Sequence, residues 1–152
     1  MTQNFTVSQP NLRNDAPQRA LRVLVVDDHR DTVLSLITLL RTEAYEVRGL
    51  YEAGSILRQV QEFEPDAVIL DIAMPGKSGW DAARELRGQL GKKLLLIGIS
   101  GEHVRGTDRT LSEMNGFDFY LMKPYDPSVL LTLLRWIAIQ SPYRSPYRSP
   151  FR

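Results

Sequence analysis

The amino-acid sequence predicts an α/β fold in which five parallel strands alternate with helices in a doubly wound sheet. Between residues 21 and 140, short apolar runs alternate with segments whose apolar residues recur at helical spacing. Right-handed crossovers and short connecting loops make the doubly wound arrangement the most economical one for this pattern. The predicted strands are residues 21–26, 46–51, 67–70, 94–99 and 117–122.

The polarity of each strand indicates its place in the sheet. The runs at 21–26, 67–70 and 94–99 are nearly all apolar, so we expect helices to cover them on both faces. The run at 46–51 mixes charged and apolar residues, which is typical of an edge strand. The carboxyl ends of parallel strands are expected at one edge of the sheet, where ligands bind in folds of this class.

Each helical segment shows an apolar stripe that would cover the sheet. The last segment also carries start signals, because Asp126 is a suitable N-cap and Pro127 stands at the first helical position, where its missing N–H costs nothing. The predicted core-facing residues are Val33, Leu36, Ile37 and Leu40 in the first helix, Ala53, Ile56, Leu57, Val60 and Phe63 in the second, Ala83, Leu86 and Leu90 in the third, and Val129, Leu130, Leu133, Leu134 and Ile137 in the last.

Composition limits the classes of protein that the chain can represent. Its 152 residues suffice for one domain with a core of its own, and the absence of cysteine excludes disulfides and thiolate metal sites. The net charge is +1, but residues 1–140 carry 16 basic against 18 acidic side chains, a net of −2, so we expect no nucleic-acid binding by the core. We predict no secretion signal and no membrane span, and we expect a cytoplasmic protein.

Both ends differ from the predicted domain at 21–140. Residues 1–20 are polar and show no sustained period, which predicts a flexible arm. Residues 141–152 repeat the tetrapeptide SPYR as SPYR, SPYR and SPFR, and this proline-spaced, basic segment is expected to be extended and disordered. It either solubilises the chain or docks on an acidic or aromatic-lined surface of a partner.

Polar residues follow four of the five predicted strands, at the point where each strand ends. If the strands are parallel, these side chains meet at one edge of the sheet. Carboxylates that lie close together repel one another unless a cation sits among them, and Mg²⁺ prefers such oxygen ligands. A lysine beside the carboxylates would bind a phosphate oxygen. The residues are Asp27 and Asp28 after the first strand, Asp71 after the third, Ser100 after the fourth and Lys123 after the fifth.

Four segments around these residues carry a family resemblance. They are the acidic pair in VLVVDDHRD, the aspartate in VILDIAMPGKSG, the hydroxyl in LIGISG and the lysine in FYLMKP. In this order and spacing, the segments resemble the receiver domain of two-component response regulators over about residues 21–140. The resemblance implies the flavodoxin-like fold, in which the parallel strands lie in the order 2-1-3-4-5.

The resemblance also implies a role for each site residue. Asp71 would be the phosphoacceptor, Asp27 and Asp28 would position Mg²⁺, and the backbone carbonyl of Ala73 would add a metal ligand. Lys123 and Ser100 would bind the phosphoryl oxygens, since phosphoryl transfer depends on in-line positioning and charge neutralisation. The Lys123–Pro124 peptide bond would be cis, which turns the lysine toward the site.

A conformational switch is a further implication of the resemblance. Ser100 would move toward the new phosphate and Tyr120 would turn inward, which would change the face formed by the helix between the fourth and fifth strands (the fourth helix), the fifth strand and the last helix. Ser100 replaces the commoner threonine but keeps its hydroxyl, and Gly101 leaves room for phosphate. Ala73 stands where other members carry a polar residue that can orient the hydrolytic water, so the lifetime of an aspartyl phosphate stays open.

Taken one at a time, the same residues have ordinary explanations. Asp27 and Asp28 could begin a turn and cap the next helix, and Asp71 could begin a turn. Ser100 could also cap a helix, while Lys123 could be solvated and Tyr120 could be a core aromatic. The neighbouring His29 could bind a metal beside Asp28, but a lone surface histidine is more often only solvated, and we interpret it so. The order of the full set around the strands favours the receiver interpretation.

These features predict that the chain is a response regulator that accepts a phosphoryl group. We expect a signalling domain rather than an enzyme that acts on a separate substrate. The donor would be a sensor histidine kinase or a histidine phosphotransfer protein, and the output would be binding to an unidentified protein. Trp136 could contribute to a homodimer interface. The alternative is a phosphate shuttle or sink in a multistep phosphorelay. An aspartate-based phosphatase is disfavoured, because Ala73 stands where such an enzyme places its second aspartate.

Overall fold

A computed structural model of the chain describes residues 19–101 and 116–140. Within them, five strands form one sheet in the order β2-β1-β3-β4-β5, and every neighbouring pair is parallel. This confirms the predicted α/β class and strand order. The strands are β1 (Arg22–Val26), β2 (Glu46–Leu50), β3 (Ala67–Asp71), β4 (Leu95–Ser100) and β5 (Phe119–Met122).

Four α-helices cover the sheet in the described part of the chain. The helix expected between the fourth and fifth strands, the predicted arm before residue 19 and the predicted tail at 141–152 all fall outside the described residues. The helices are α1 (Arg30–Thr42), α2 (Ile56–Phe63), α3 (Gly79–Leu90), which a 3-10 turn at Gly91–Lys93 extends, and the last helix (Pro127–Gln140).

The hydrophobic core has two layers, one on each face of the sheet. Because successive strand residues point to opposite faces, Leu24 and Leu70 pack with α2 and α3, whereas Val25 and Ile69 pack with α1 and the last helix. All five residues of β3 are buried, as the central strand of such a sheet requires. The sheet is therefore held rigidly from both sides, and its carboxyl edge is a fixed platform.

The last helix begins as predicted but differs at one core position. The carboxylate Oδ1 of Asp126 accepts a hydrogen bond of 2.9 Å from the backbone N–H of Ser128, which caps the helix. Leu130 is fully buried, but Val129 is 45% exposed, so the prediction that Val129 faces the sheet is wrong. Adjacent helical residues point about 100° apart, and the buried stripe that contains Leu130 and Leu134 leaves Val129 outside it. Trp136 is half exposed and makes an edge contact with the ring of Phe119.

Each of the five strands lies within one or two residues of its predicted range, and two of the shifted boundaries follow from local contacts. β5 begins at Phe119 rather than Phe117, whose ring packs edge-on against Trp80 in the core before the ladder starts. β3 extends by one residue to include Asp71, since that residue pairs with Ile99 of β4. The site aspartate is therefore held in the sheet rather than on a loose loop.

Within residues 19–101 and 116–140, no helix combines the length and apolar character that a membrane-spanning helix needs.

Candidate functional site

The carboxyl edge of the sheet brings the predicted polar residues together. Asp27 is 4% exposed, Asp71 6% and Ser100 1%, and these are the buried polar residues of the described chain. Burying a charged carboxylate is costly unless a partner compensates the charge. Two buried carboxylates side by side therefore lower the stability of the fold at this edge. Such destabilising clusters of ionisable groups are typical of functional sites.

Lys123 supplies the positive charge nearest to the buried carboxylates. Its Nζ lies 3.5 Å from Oδ2 of Asp27 and 3.8 Å from Oδ2 of Asp71. The backbone N–H of Lys123 donates to the carbonyl of Ser100, which ties the end of β5 to the end of β4. The Lys123–Pro124 peptide bond is cis, as predicted.

The loop after β3 fixes the carboxylate of Asp71. The backbone N–H of Ala73 donates to Oδ1 of Asp71 over 3.1 Å, while Ala73 itself is exposed. The N–H of Gly79, at the start of α3, donates to the carbonyl of Ile72 over 3.0 Å. A Cβ at Gly79 would lie 2.5 Å from the Asp71 carbonyl oxygen, so only glycine lets α3 approach this closely.

The acidic pair after β1 is arranged around a histidine. Oδ1 of Asp27 accepts a hydrogen bond of 2.9 Å from the backbone N–H of His29. Nδ1 of the same histidine lies 3.3 Å from Oδ1 of Asp27 and 3.3 Å from Oδ1 of Asp28. The ring therefore faces the two carboxylates, although 72% of the side chain is exposed.

The carboxylates fit a hard divalent cation. One ligand atom from each of Asp27, Asp28, His29 and Asp71 lies within 4.8 Å of the others. Oδ1 of Asp28 is buried and accepts no hydrogen bond from the described residues, which leaves an oxygen free to bind a cation. Carboxylate oxygens are the donors that Mg²⁺ and similar ions prefer. The structure thus brings together all of the predicted acidic ligands.

The electrostatic surroundings of the site raise the pKa of Asp71. Burial raises the pKa of its carboxyl above the ordinary value, and the neighbouring carboxylate of Asp27 raises it further. The Lys123 ammonium and the Ala73 N–H act in the opposite direction but do not cancel these effects. A carboxyl with a raised pKa binds its proton more tightly in the folded chain than in the unfolded one, so its contribution to stability falls as pH rises through the folded pKa.

Asp71→Asn is therefore expected to stabilise the fold near pH 7 in the absence of divalent cations. Removing an ionised, buried carboxylate should raise the melting temperature by roughly 3–5 °C, as a gain of about 1 kcal/mol does in a domain of this size. Differential scanning calorimetry with EDTA would measure the difference between variant and wild type. The difference should shrink below the ordinary aspartate pKa, where the wild-type carboxyl is protonated. A variant less stable than wild type near pH 7 would contradict this reading.

Ser100 and Tyr120 occupy neighbouring strands on one face of the sheet. Ser100 pairs with Met122, and Gly98, two residues earlier, pairs with Tyr120. Residues two apart share a face, so Ser100 and Tyr120 are diagonal neighbours. The hydroxyl of Ser100 donates to the carbonyl of Gly101, and Tyr120 is half buried against the core layer of α2 and α3.

The structure adds detail at two residues beside the predicted set. The side chain of His29 is exposed, as a solvated histidine would be, but its ring nitrogen lies beside both aspartates of the acidic pair, next to Asp28 where a metal ligand is the alternative interpretation. Gly79 follows Ser78, the N-cap of α3, and no pattern in the sequence indicates that the backbone of β3 approaches it closely. The sequence feature that points to His29 is its position directly after two aspartates at the end of a strand.

Comparison with known proteins gives consistent matches. The family model "response regulator receiver domain" matches residues 23–135. The DNA-binding response regulator MtrA of Mycolicibacterium paratuberculosis is 33% identical over 114 residues, which cover 75% of this chain and 49% of that protein. The chain thus spans about half the length of the curated relatives it matches.

Solved structures agree with the family match. A CheY-like response regulator receiver domain protein from Methanospirillum hungatei superposes with a TM-score of 0.73 at 25% identity, over 80% of this chain and 95% of that one. A response regulator receiver domain protein from Clostridium thermocellum gives a TM-score of 0.72 at 25% identity, over 80% and 96% of the two chains. From its strand order, its acidic edge and the family match, the chain belongs to the response regulator receiver domain family.

Proposed function

We propose that the chain is a phosphoacceptor switch in which Asp71 accepts a phosphoryl group from a phosphohistidine donor with the help of Mg²⁺. The supporting observation is a buried carboxylate fixed at the end of β3, with the Lys123 ammonium 3.8 Å from its Oδ2. A sensor histidine kinase or a histidine phosphotransfer protein would be the donor. Phosphorylation would change the affinity of the chain for an output protein.

The transfer replaces a nitrogen–phosphorus bond by an oxygen–phosphorus bond. A carboxylate oxygen of Asp71 forms a bond to phosphorus while the bond from phosphorus to the donor imidazole breaks, and the imidazole keeps the electron pair. The ammonium of Lys123 neutralises charge on the phosphoryl oxygens, and the hydroxyl of Ser100 donates a hydrogen bond to one of them. The N–H of Ala73 holds the other carboxylate oxygen in place.

The cation site of this proposal is the acidic cluster. Asp27, Asp28, Asp71 and the backbone carbonyl of Ala73 would hold Mg²⁺, and the buried, unbonded Oδ1 of Asp28 supports this assignment. When bound, the ion supplies positive charge against the phosphoryl oxygens. It also offsets the repulsion between the carboxylates that raises the pKa of Asp71.

The proposal is tested by incubating the protein with acetyl phosphate and Mg²⁺ and measuring its intact mass. We expect a gain of one labile phosphoryl group that EDTA abolishes, because the transfer needs both the carboxylate and the cation. The EDTA sample is the control for non-specific acylation by the reagent. A folded protein that gains no phosphoryl group from acetyl phosphate or from histidine donors would rule out the proposed function.

The proposed switch couples this reaction to the face that includes β5 and the last helix. Ser100 would move toward the phosphoryl group, and Tyr120, its diagonal neighbour, would turn inward. Ser100→Ala and Tyr120→Ala should reduce the phosphorylation-dependent change in hydrogen exchange at residues 119–140 at least about threefold, since two states must differ at the readout surface. Tyr45→Ala, a half-buried tyrosine in the opposite core layer, is the control. If all three variants keep the wild-type change, these residues do not form the switch.

A further inference from the structure

His29 turns its ring toward the cation site although it starts a helix. It is the N-cap residue of α1, but its side chain makes no capping hydrogen bond. Its backbone N–H already donates to Oδ1 of Asp27 over 2.9 Å. The helix therefore begins without a capping hydrogen bond from the imidazole.

The position of the ring nitrogen matches that of a ligand. In an octahedral site with bonds of about 2.1 Å, neighbouring ligand atoms lie about 3.0 Å apart and opposite ones about 4.2 Å apart. Nδ1 of His29 lies 3.3 Å from one oxygen of Asp27 and 3.3 Å from the buried, unbonded oxygen of Asp28. One ligand atom of Asp71 completes a group within 4.8 Å. A small rotation of the imidazole would bring its nitrogen and the oxygens around one ion.

The surroundings of the ring leave it free to make this adjustment. The side chain of His29 is 72% exposed, whereas that of Asp27 is 5% exposed and fixed by its hydrogen bonds. The ring can therefore rotate toward an ion without breaking packed contacts, and the buried carboxylate stays where it is.

We propose that His29 supplies Nδ1 as a nitrogen ligand, so that the site binds Mn²⁺ and similar transition-metal ions more tightly than Mg²⁺. Mg²⁺ is a hard ion that favours oxygen and keeps several waters, whereas imidazole suits borderline transition metals. The inference rests on the proposed function only in sharing its cation site. A histidine directly after the acidic pair would then select which divalent ion the site binds.

The test measures cation binding without any phosphoryl donor. Mn²⁺ affinity is measured by electron paramagnetic resonance and Mg²⁺ affinity by titration calorimetry, for the wild type, His29→Ala and His29→Asn. Asparagine keeps an N–H donor near the position of Nδ1 but offers no ring nitrogen for a metal. We expect both variants to lose roughly tenfold or more in Mn²⁺ affinity, with a much smaller change for Mg²⁺.

Pulsed electron paramagnetic resonance of the Mn²⁺ form identifies the ligand directly. The wild type should show coupling to a histidine nitrogen that changes when histidine is labelled with ¹⁵N and disappears in both variants. The chain has two histidines, so His103→Ala, which should keep the coupling, is the matched control.

Each remaining outcome is decisive. If His29 only orients the carboxylates through a hydrogen bond, His29→Asn keeps both affinities and no nitrogen coupling is seen, which overturns the inference. Equal losses for Mn²⁺ and Mg²⁺ overturn it as well. A wild type that binds both ions without nitrogen coupling leaves the phosphoacceptor proposal standing, whereas a chain that binds neither ion contradicts both.

Discussion

Asp71→Asn is expected to lower the rate of phosphorylation by acetyl phosphate by at least about a thousandfold. The amide oxygen of asparagine is a far weaker nucleophile than a carboxylate, and no described residue offers a second carboxylate in the same position between Lys123 and the Ala73 N–H. Asparagine has nearly the shape of aspartate, so the hydrogen bond from Ala73 to Oδ1 can be retained. The measurement is intact mass over time in the presence of Mg²⁺.

The stability of the same variant separates loss of chemistry from loss of fold. Because Asp71→Asn should stabilise the domain near pH 7, a loss of phosphorylation cannot be explained by unfolding. Asp81→Asn makes the same chemical change at an exposed carboxylate on α3 and should keep the wild-type rate. If Asp71→Asn still gains a phosphoryl group at a comparable rate, another side chain is the acceptor, and fragmentation of the modified protein would locate it.

The sequence was sufficient to predict the sheet because its signals are periodic and local. Alternating apolar runs and helical stripes define the elements, and the handedness of crossovers restricts their order. The orientation of Val129 could not be predicted, since a run of adjacent apolar residues does not fix the angle at which a helix meets the sheet. The start of β5 depends on where Phe117 packs, and its contact with Trp80 joins residues distant in sequence.

The sequence predicted those features of the site that depend on where the strands end. Topology alone brings Asp71 and Lys123 to the same edge, so their meeting followed from the order of the strands. The contact of His29 with both aspartates depends instead on the rotation of its side chain. No repeating pattern in a sequence predicts that rotation. The same limit applies to the buried oxygen of Asp28.

Arg87 joins α3 to the segments that lead into β4 and β5, a role that no pattern in the sequence indicates. Its Nε donates to the carbonyl of Gly116 over 2.6 Å, and its Nη1 donates to the carbonyls of Gly91 and Leu94. Its Nη2 pairs with Asp118, whose carboxylate also accepts the backbone N–H of Leu96. The acceptors in Gly116 and Asp118 lie 29 and 31 residues further along the chain, beyond any local pattern.

Arg87→Ala is expected to lower the free energy of unfolding by about 2–4 kcal/mol. The side chain is only 16% exposed, so its removal leaves backbone carbonyls and the Asp118 carboxylate without their donor in a partly buried place. Arg87→Lys should recover only part of the loss, because a single ammonium cannot reach acceptors that a planar guanidinium spans. Urea unfolding followed by circular dichroism measures both variants.

Arg58→Ala is the matched control, since Arg58 is 70% exposed on α2 and forms a surface ion pair with Glu62 at 4.0 Å. Such a pair contributes little, and the expected change is within about 0.5 kcal/mol. Because Gly116 and Asp118 lead into β5, the loss of Arg87 should also speed hydrogen exchange in β5 more than in β1. An Arg87→Ala variant as stable as Arg58→Ala would mean that water replaces the guanidinium at little cost, and that pairing with β4 and packing of Phe117 suffice to position β5.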